Sequence, residues 1–368
     1  MSRRLLFLIT TLGALFVLPA LAGASLVYQA ASATAITWEV STNETGSNNS
    51  DVSASGNRAI YMADDDGGNR VTLPITGQFP VVSPNGAMVA YQKVTNSKTG
   101  AAQLHFLTVA TGADFNTRAY CGGPIWAPNS SAVACSTTQW SGAGDFKGLG
   151  LNTITTAGAV SIIVPSVGTL VNGYSWSPDS TKVVWGQTPF GKWTADSKLR
   201  WLPADGSGTV GKLGNGALPV WGPSKIAFIR ATHASVAGTS VERTQVWTVD
   251  PAVGATSAKA LTAYQAKGFV SGPVAMRWTP DGTKILGELY GEDYNQPIYI
   301  TMNGKIHKFC ASNAGVYGVS ADGKQALVMA NLMGGGKQPI YASPLANTGP
   351  TLLVKDAWEP SVTANWQP

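Results

Sequence analysis

The sequence predicts an all-β fold in which four-stranded antiparallel sheets repeat around a ring. Three observations lead there. One hairpin design recurs along the 368 residues at intervals of about 40 to 57. A bulky residue, Trp in five copies of seven, stands two positions before each turn. A second pair of short strands follows each hairpin.

The clearest copy is "GYSWSPDSTKVVWG" (173–186). Pro178 presets φ for the first corner of a tight turn, and Asp179 and Ser180 suit the corners after it. Aromatic and β-branched residues on both sides favour strands. A lone hairpin is marginal in water, so it must belong to a larger sheet.

The elements follow in order. "AITWEVS" (35–41) reads as a second strand, "AIYMADDDGG" (59–68) as a third strand with its turn, and "RVTLP" (70–74) as a fourth. The hairpin then returns as "PVVSPNGAMVAYQ" (80–92), "PIWAPNSSAVACS" (124–136), the copy above, "PVWGPSKIAFIR" (219–230), "MRWTPDGTKILGEL" (276–289) and "YGVSADGKQALVMA" (317–330). Ala321 takes the proline position in the last of these. Third strands begin near 103, 148, 198, 244, 296 and 338, and lead into short fourth strands such as "KALTA" (259–263) and "TLLVK" (351–355). "SVTANWQP" (361–368) is a first strand that stops at its proline. The N-terminal set lacks a first strand and the C-terminal end supplies one, so "TANWQP" is expected as the innermost strand of a shared sheet. This gives one domain over 35–368, a seven-bladed β-propeller closed by its N- and C-terminal strands; six or eight blades is the alternative count. Sharing a sheet between the ends removes an exposed edge.

The bulky column is Val82, Trp126, Trp176, Trp221, Trp278, Val319 and Trp366. A large residue at a fixed point of every repeat can fill the space between one sheet and the next. Trp176 and Trp221 are therefore expected between neighbouring sheets and largely buried.

"WSPDSTKVVW", "WTPDGTKILGE" and "IYMADDDGGNRVTL" resemble the WD40-like (PD40) repeats of TolB-type propellers. The resemblance covers nearly all of 35–368 and implies the propeller architecture. The chain departs from the pattern at Ser180, which replaces the turn Gly, at Asn129–Ser130, which replace Asp-Gly, and at Ala321, which replaces Pro. A TolB protein proper resembles a six-bladed propeller preceded by an α/β domain, for which this chain has no room.

Charged residues are only 12% of the chain and the formal charge is +5, falling to +3 without Arg3 and Arg4. No Lys/Arg cluster is present, so a nucleic-acid surface is not expected. Residues 1–24 read as a signal peptide, with an uncleaved anchor as the alternative, and 25–34 as a linker. The mature chain is expected to be a secreted or periplasmic monomer without a membrane span. Cys121, Cys135 and Cys310 are too few for a disulfide scaffold. Direct cross-strand pairing of Cys121 with Cys135 is out of register if Cys121 precedes its strand, so a bridge and buried thiols both stay open.

No reaction motif stands out. His105, His233 and His307 share no ligand spacing, and His105 and His307 read as structural or solvent-facing. "DDDGGN" (64–69) matches an ordinary turn better than a calcium loop. No G-x-S-x-G elbow occurs. No metal or cofactor is expected. The informative segments are the long connections between second and third strands, which alternation places on one face. They carry Trp140, Phe146, Phe190, Trp193, Tyr290 and Tyr294 among Gly, Ser and Asp. Loops on a rigid scaffold collect binding residues, and Trp and Tyr are enriched at hot spots; capping of the blades is the competing role. The reading is a non-catalytic scaffold that binds an envelope or extracellular protein, peptide or glycan through this face. The alternatives are a carbohydrate-active lyase or hydrolase with its site at the axial mouth, and a purely structural envelope component.

Overall fold

The computed structural model describes residues 35–40, 58–64, 66–96, 101–140, 146–189, 197–236, 239–263, 271–290, 295–310, 314–330, 338–362 and 366–367. The leader and linker expected over 1–34 lie outside the described residues.

The chain is all-β and propeller-like. β1 (Ala35–Val40), β2 (Arg58–Asp64) and the first half of β3 (Val71–Val82) form one sheet. The second half of β3 starts the next, with β4 (Met88–Asn96), β5 (Ala101–Thr108) and β6 (Ala113–Tyr120). The same meander repeats in β7 (Gly122–Trp126), β8 (Ala132–Trp140), β9 (Phe146–Thr155) and β10 (Val160–Val164). β11 (Thr169–Trp176), β12 (Lys182–Pro189), β13 (Lys198–Pro203) and β14 (Gly211–Asn215) follow. Next come β15 (Ala217–Trp221), β16 (Ile226–Val236), β17 (Thr239–Val249) and β18 (Lys259–Ala260). β19 (Ser271–Trp278), β20 (Lys284–Tyr290), β21 (Asn295–Thr301) and β22 (Ile306–Lys308) make another. β23 (Ala314–Ser320), β24 (Gln325–Ala330) and β25 (Gln338–Pro344) run into β26 (Thr351–Val362).

β26 serves two sheets. Thr351 to Ala357 pairs with β25, and Trp358 to Val362 pairs with β1. The chain end thus meets β1 upstream of "TANWQP". Within "TANWQP", Trp366 and Gln367 form β27 (Trp366–Gln367) and pair instead with Ser320 and Val319 of β23. The offset has a local cause. In β11 the ladder begins at Thr169, well before Trp176. The C-terminal strand likewise begins its ladder well before Trp366.

Apolar clusters fill the spaces between consecutive sheets. Ile60 and Leu73 meet Tyr91 and Leu107. Phe106 meets Trp126 and Ile154, and Leu151 meets Trp176 and Trp185. Val184 meets Phe228, and Ile229 meets Trp278 and Ile285. Leu286 meets Val316 and Val328. Leu327, Ile340 and Val354 meet Ala63 of β2, so the last full sheet packs on the first.

The Trp column lies in these spaces. Trp126, Trp176 and Trp278 are buried. Each indole N–H donates to a backbone carbonyl of the preceding sheet: Trp126 to Val81 at 2.8 Å, Trp176 to Ile125 at 2.9 Å and Trp278 to Val220 at 3.0 Å. Each acceptor lies one residue before the column position of its own sheet. Trp221 is only half-buried, contrary to expectation; its tie to the preceding sheet is a backbone N–H donated to Ser175 Oγ at 3.1 Å. Gly222 makes room for the next column residue, since a Cβ there would lie 2.5 Å from the Trp278 ring.

The innermost strands share a bulge that the sequence did not announce. Phe79, Gly123, Gly173 and Leu218 each stand three residues before the column and have φ of 51°, 58°, 74° and 49°. The ladders slip at the same place. A Cβ on Gly173 would sit 2.9 Å from Leu218 Cα, so successive bulges nest closely. Tyr174 secures one of them from the neighbouring sheet. Its hydroxyl donates to the carbonyls of Gly122 and Gly123 and accepts the Ser136 N–H at 3.2 Å.

The turns are knit by their own side chains. Ser177, Thr279 and Ser320 donate to Asp179, Asp281 and Asp322 at 2.5, 2.6 and 2.6 Å. Each of these carboxylates also accepts a backbone N–H two residues on. These bonds hold the three carboxyls below their ordinary range, with the hydroxyl bond the largest cause in each.

Two expected outcomes follow from this packing. Trp176→Ala should cost roughly 3–5 kcal/mol of stability by denaturant titration, as for other buried aromatics. Trp176→Phe should cost less, losing mainly one hydrogen bond worth about 1 kcal/mol. An unchanged midpoint for the Ala variant would sink the packing role. The turn carboxylates give a pH dependence. A depressed folded pKa contributes stability above the unfolded value of about 4 and loses it as pH falls further. The combined variant Asp179→Asn, Asp281→Asn, Asp322→Asn should flatten the acid limb of the melting curve below about pH 4. Asn85 and Asn129 already serve at this position, so the variant should fold.

Candidate functional site

The meander sorts the connections onto two ends. The first-to-second and third-to-fourth connections share one end, and the second-to-third connections lie at the other. The structure brings three of the six predicted contact residues to that second end by backbone position. Trp140 closes β8 and Phe146 opens β9, and the two are register partners. Tyr290 closes β20, paired with Ser271 and Asn295. The side chains of these three, and all of Phe190, Trp193 and Tyr294, lie outside the described residues.

Next to this end, Asn172 of β11 donates from Nδ2 to Thr188 Oγ1 and, at 3.0 Å, to Ser197 Oγ. Thr188 and Ser197 bond to each other at 2.5 Å and are buried. This clasp ties β11 to the end of β12 and to the residue just before β13.

Titratable groups elsewhere are bound up in the scaffold. Glu288 is buried and accepts the Val316 N–H at 2.6 Å. Burial lowers the Arg277 pKa, while the nearby Glu288 charge opposes that shift. Burial pushes the Cys310 thiol up to about 12, which keeps it protonated. Burial pushes the Tyr174 phenol to about 12 as well. His307 stacks on Tyr299 at 4.7 Å. His233 lies on β16, with its side chain outside the described residues. Within "DDDGGN", Asp64 and Gly68 close a turn braced by Asn69 and Asp66. Among the described residues, no three His, Cys, Asp or Glu gather as metal ligands, and no helix is long and apolar enough to cross a membrane.

One cluster was missed in the sequence. His105, buried in β5, meets both carboxylate oxygens of Asp114 through Nδ1 at 3.0 and 3.1 Å. Tyr91 is its register partner on β4, with ring centroids 5.3 Å apart. Pairing "VAYQ" with "QLHF" across the hairpin would have found the Tyr–His contact. Asp114 could not be placed without the β5–β6 register.

No protein-family model matches the chain. A curated relative named protein TolB homolog, from Chlorobaculum tepidum, is 35% identical over 83 residues, which make up 21% of this chain and 18% of that protein. Over that stretch the chain is similar to a TolB-type protein. It spans less than a fifth of that relative's length. Among solved structures, an oligogalacturonate lyase in complex with manganese is 15% identical with a TM-score of 0.57, covering 78% of this chain and 82% of that one. A prolyl endopeptidase is 14% identical with a TM-score of 0.56, covering 82% of this chain and 47% of that one. At these identities the likeness concerns the fold.

The scaffold carries one covalent tie. Cys121 and Cys135 form a disulfide with Cα atoms 5.5 Å apart. Gly122 pairs with Ser136, so the bridge runs diagonally, from the residue just outside β7 to the one before its neighbour's ladder partner. The positive φ of Gly123 bends the strand entry there. Cys310 is free. The double variant Cys121→Ala, Cys135→Ala should lose about 3 kcal/mol of stability, as expected for a loop of this length. Reductant should lower the melting point of the native chain and leave the variant unmoved; equal responses would show that the bridge contributes nothing.

Proposed function

We propose that this chain is an exported, monomeric seven-bladed propeller, closed by its terminal strands, that binds an envelope or extracellular protein, peptide or glycan. The contact surface is the end bearing the second-to-third connections, with Trp140, Phe146, Phe190, Trp193, Tyr290 and Tyr294. The observation that carries this is positional: Trp140, Phe146 and Tyr290 all terminate strands at the same end of their sheets. The packing of Ala63 against Leu327, Ile340 and Val354, and the ladder between β1 and β26, support closure. The Cys121–Cys135 bridge supports export, since such bonds persist in oxidising compartments.

Aromatic side chains suit this role because they bury large area with few torsions to freeze. Substituting Trp140, Trp193 and Tyr290 together with Ala should leave the melting temperature nearly unchanged and reduce binding to purified envelope glycan and peptide fractions by at least about tenfold. Undiminished binding would remove the reading, and a large fall in melting temperature would make these residues blade caps. Cleavage of the glycan by the native chain would replace binding with the lyase or hydrolase alternative.

A further inference from the structure

A groove of about 350 Å³ opens between the outer half of β3 and the neighbouring sheet. It lies apart from the loop end. One wall carries Thr72, Pro74 and Thr76; Leu73 and Ile75 lie beneath; Lys93 and Asp114 face them from β4 and β6. The volume falls at the small end of the range for small-molecule sites.

The two charges define its chemistry. Asp114 has its ion-pair partner in His105, not in Lys93. His105 reaches both carboxylate oxygens from behind, and its own ring is buried against Tyr91. The carboxylate is therefore fixed in place by a buried side chain. The Tyr91 phenol stays protonated, because burial and then Asp114 push its pKa far up. Lys93 supplies an ammonium to the same groove. A positive and a negative group thus face one small space without pairing together, with the apolar side chains of Leu73 and Ile75 below.

We propose that this groove binds a zwitterion of amino-acid or dipeptide size. The ligand's ammonium meets Asp114, its carboxylate meets Lys93, and its side chain lies on Leu73 and Ile75. A ligand with one charge leaves the opposite wall without a counter-ion, and a neutral sugar leaves both. Pro74 lacks an N–H, so pairing of an added strand along this edge is blocked and recognition falls to side chains.

The test is calorimetric titration of the full chain with the common L-amino acids and glycyl-leucine, set against leucinamide, isocaproate and glucose. Leucinamide keeps only the cation of leucine, and isocaproate only the anion. At least one zwitterion should bind, and for the leucine series each single-charge analogue should bind about tenfold more weakly or worse. In Lys93→Met, leucine and leucinamide should bind alike. In Asp114→Asn, leucine and isocaproate should bind alike. These ratios on native and Lys93→Met protein decide the matter even if Asp114→Asn fails to fold. Absence of binding by every zwitterion, equal binding of charged and uncharged analogues to the native chain, or preference for glucose would each overturn the proposal.

Discussion

A four-stranded antiparallel sheet exposes two faces, and in this chain both are apolar. Neither face can be left to water, and no helix covers them among the described residues. Each sheet is therefore buried against the next, and the spaces between sheets are the core. This constraint accounts for the column of large residues at a fixed point of each repeat. The indole fills the gap, and its N–H must find a partner once buried. The carbonyls of Val81, Ile125 and Val220 supply it. One side chain thus does two jobs, apolar filling and sheet-to-sheet registration. Gly222 shows the cost of that closeness, since any side chain there would strike Trp278.

The same constraint explains turn residues that depart from the TolB-type pattern. Ser130 and Ser180 occupy a left-handed corner, both with φ of 63°, where glycine is easier. Each hydroxyl accepts a backbone N–H from the turn of the preceding sheet: Asn85 to Ser130 at 3.1 Å, and Asn129 to Ser180 at 3.0 Å. A left-handed non-glycine corner is strained by an amount of order 1 kcal/mol, similar to what one such bond contributes. The substitutions exchange local comfort for a link between turns. Ala321 has no comparable account, though Ser320 and Asp322 preserve the turn around it.

Hairpins, the large-residue column and the strand order were legible because each depends on residues close in sequence and repeats in frame. The bulges were not, because Phe79 and Leu218 carry no local mark of a left-handed backbone. Their conformation is set by the neighbouring sheet, as the contact between Gly173 and Leu218 shows. The Cys121–Cys135 bridge stayed open for the same reason: ladder counting assumes a regular strand, and Gly123 bends it. Asp114 escaped because its meaning lies in His105 and Tyr91, on two other strands. The six aromatics were visible as residue types, but composition could not say which strand ends they share.

The two ends of the molecule also differ in how much polar chemistry they have left to offer. At the hairpin-turn end, Asp179, Asp281 and Asp322 accept from their own hydroxyls and backbone, and Ser130 and Ser180 are spent on adjoining turns. A ligand approaching there must compete with bonds that hold the turns together. At the other end, the backbone closes its hairpins by strand pairing, as at Trp140 and Phe146, and the clasp of Asn172, Thr188 and Ser197 joins β11 to the flanks of β12 and β13. The groove at Lys93 and Asp114 follows the same logic from the side: His105 bears the structural load from behind, so Asp114 can hold its place in the fold and still face a ligand.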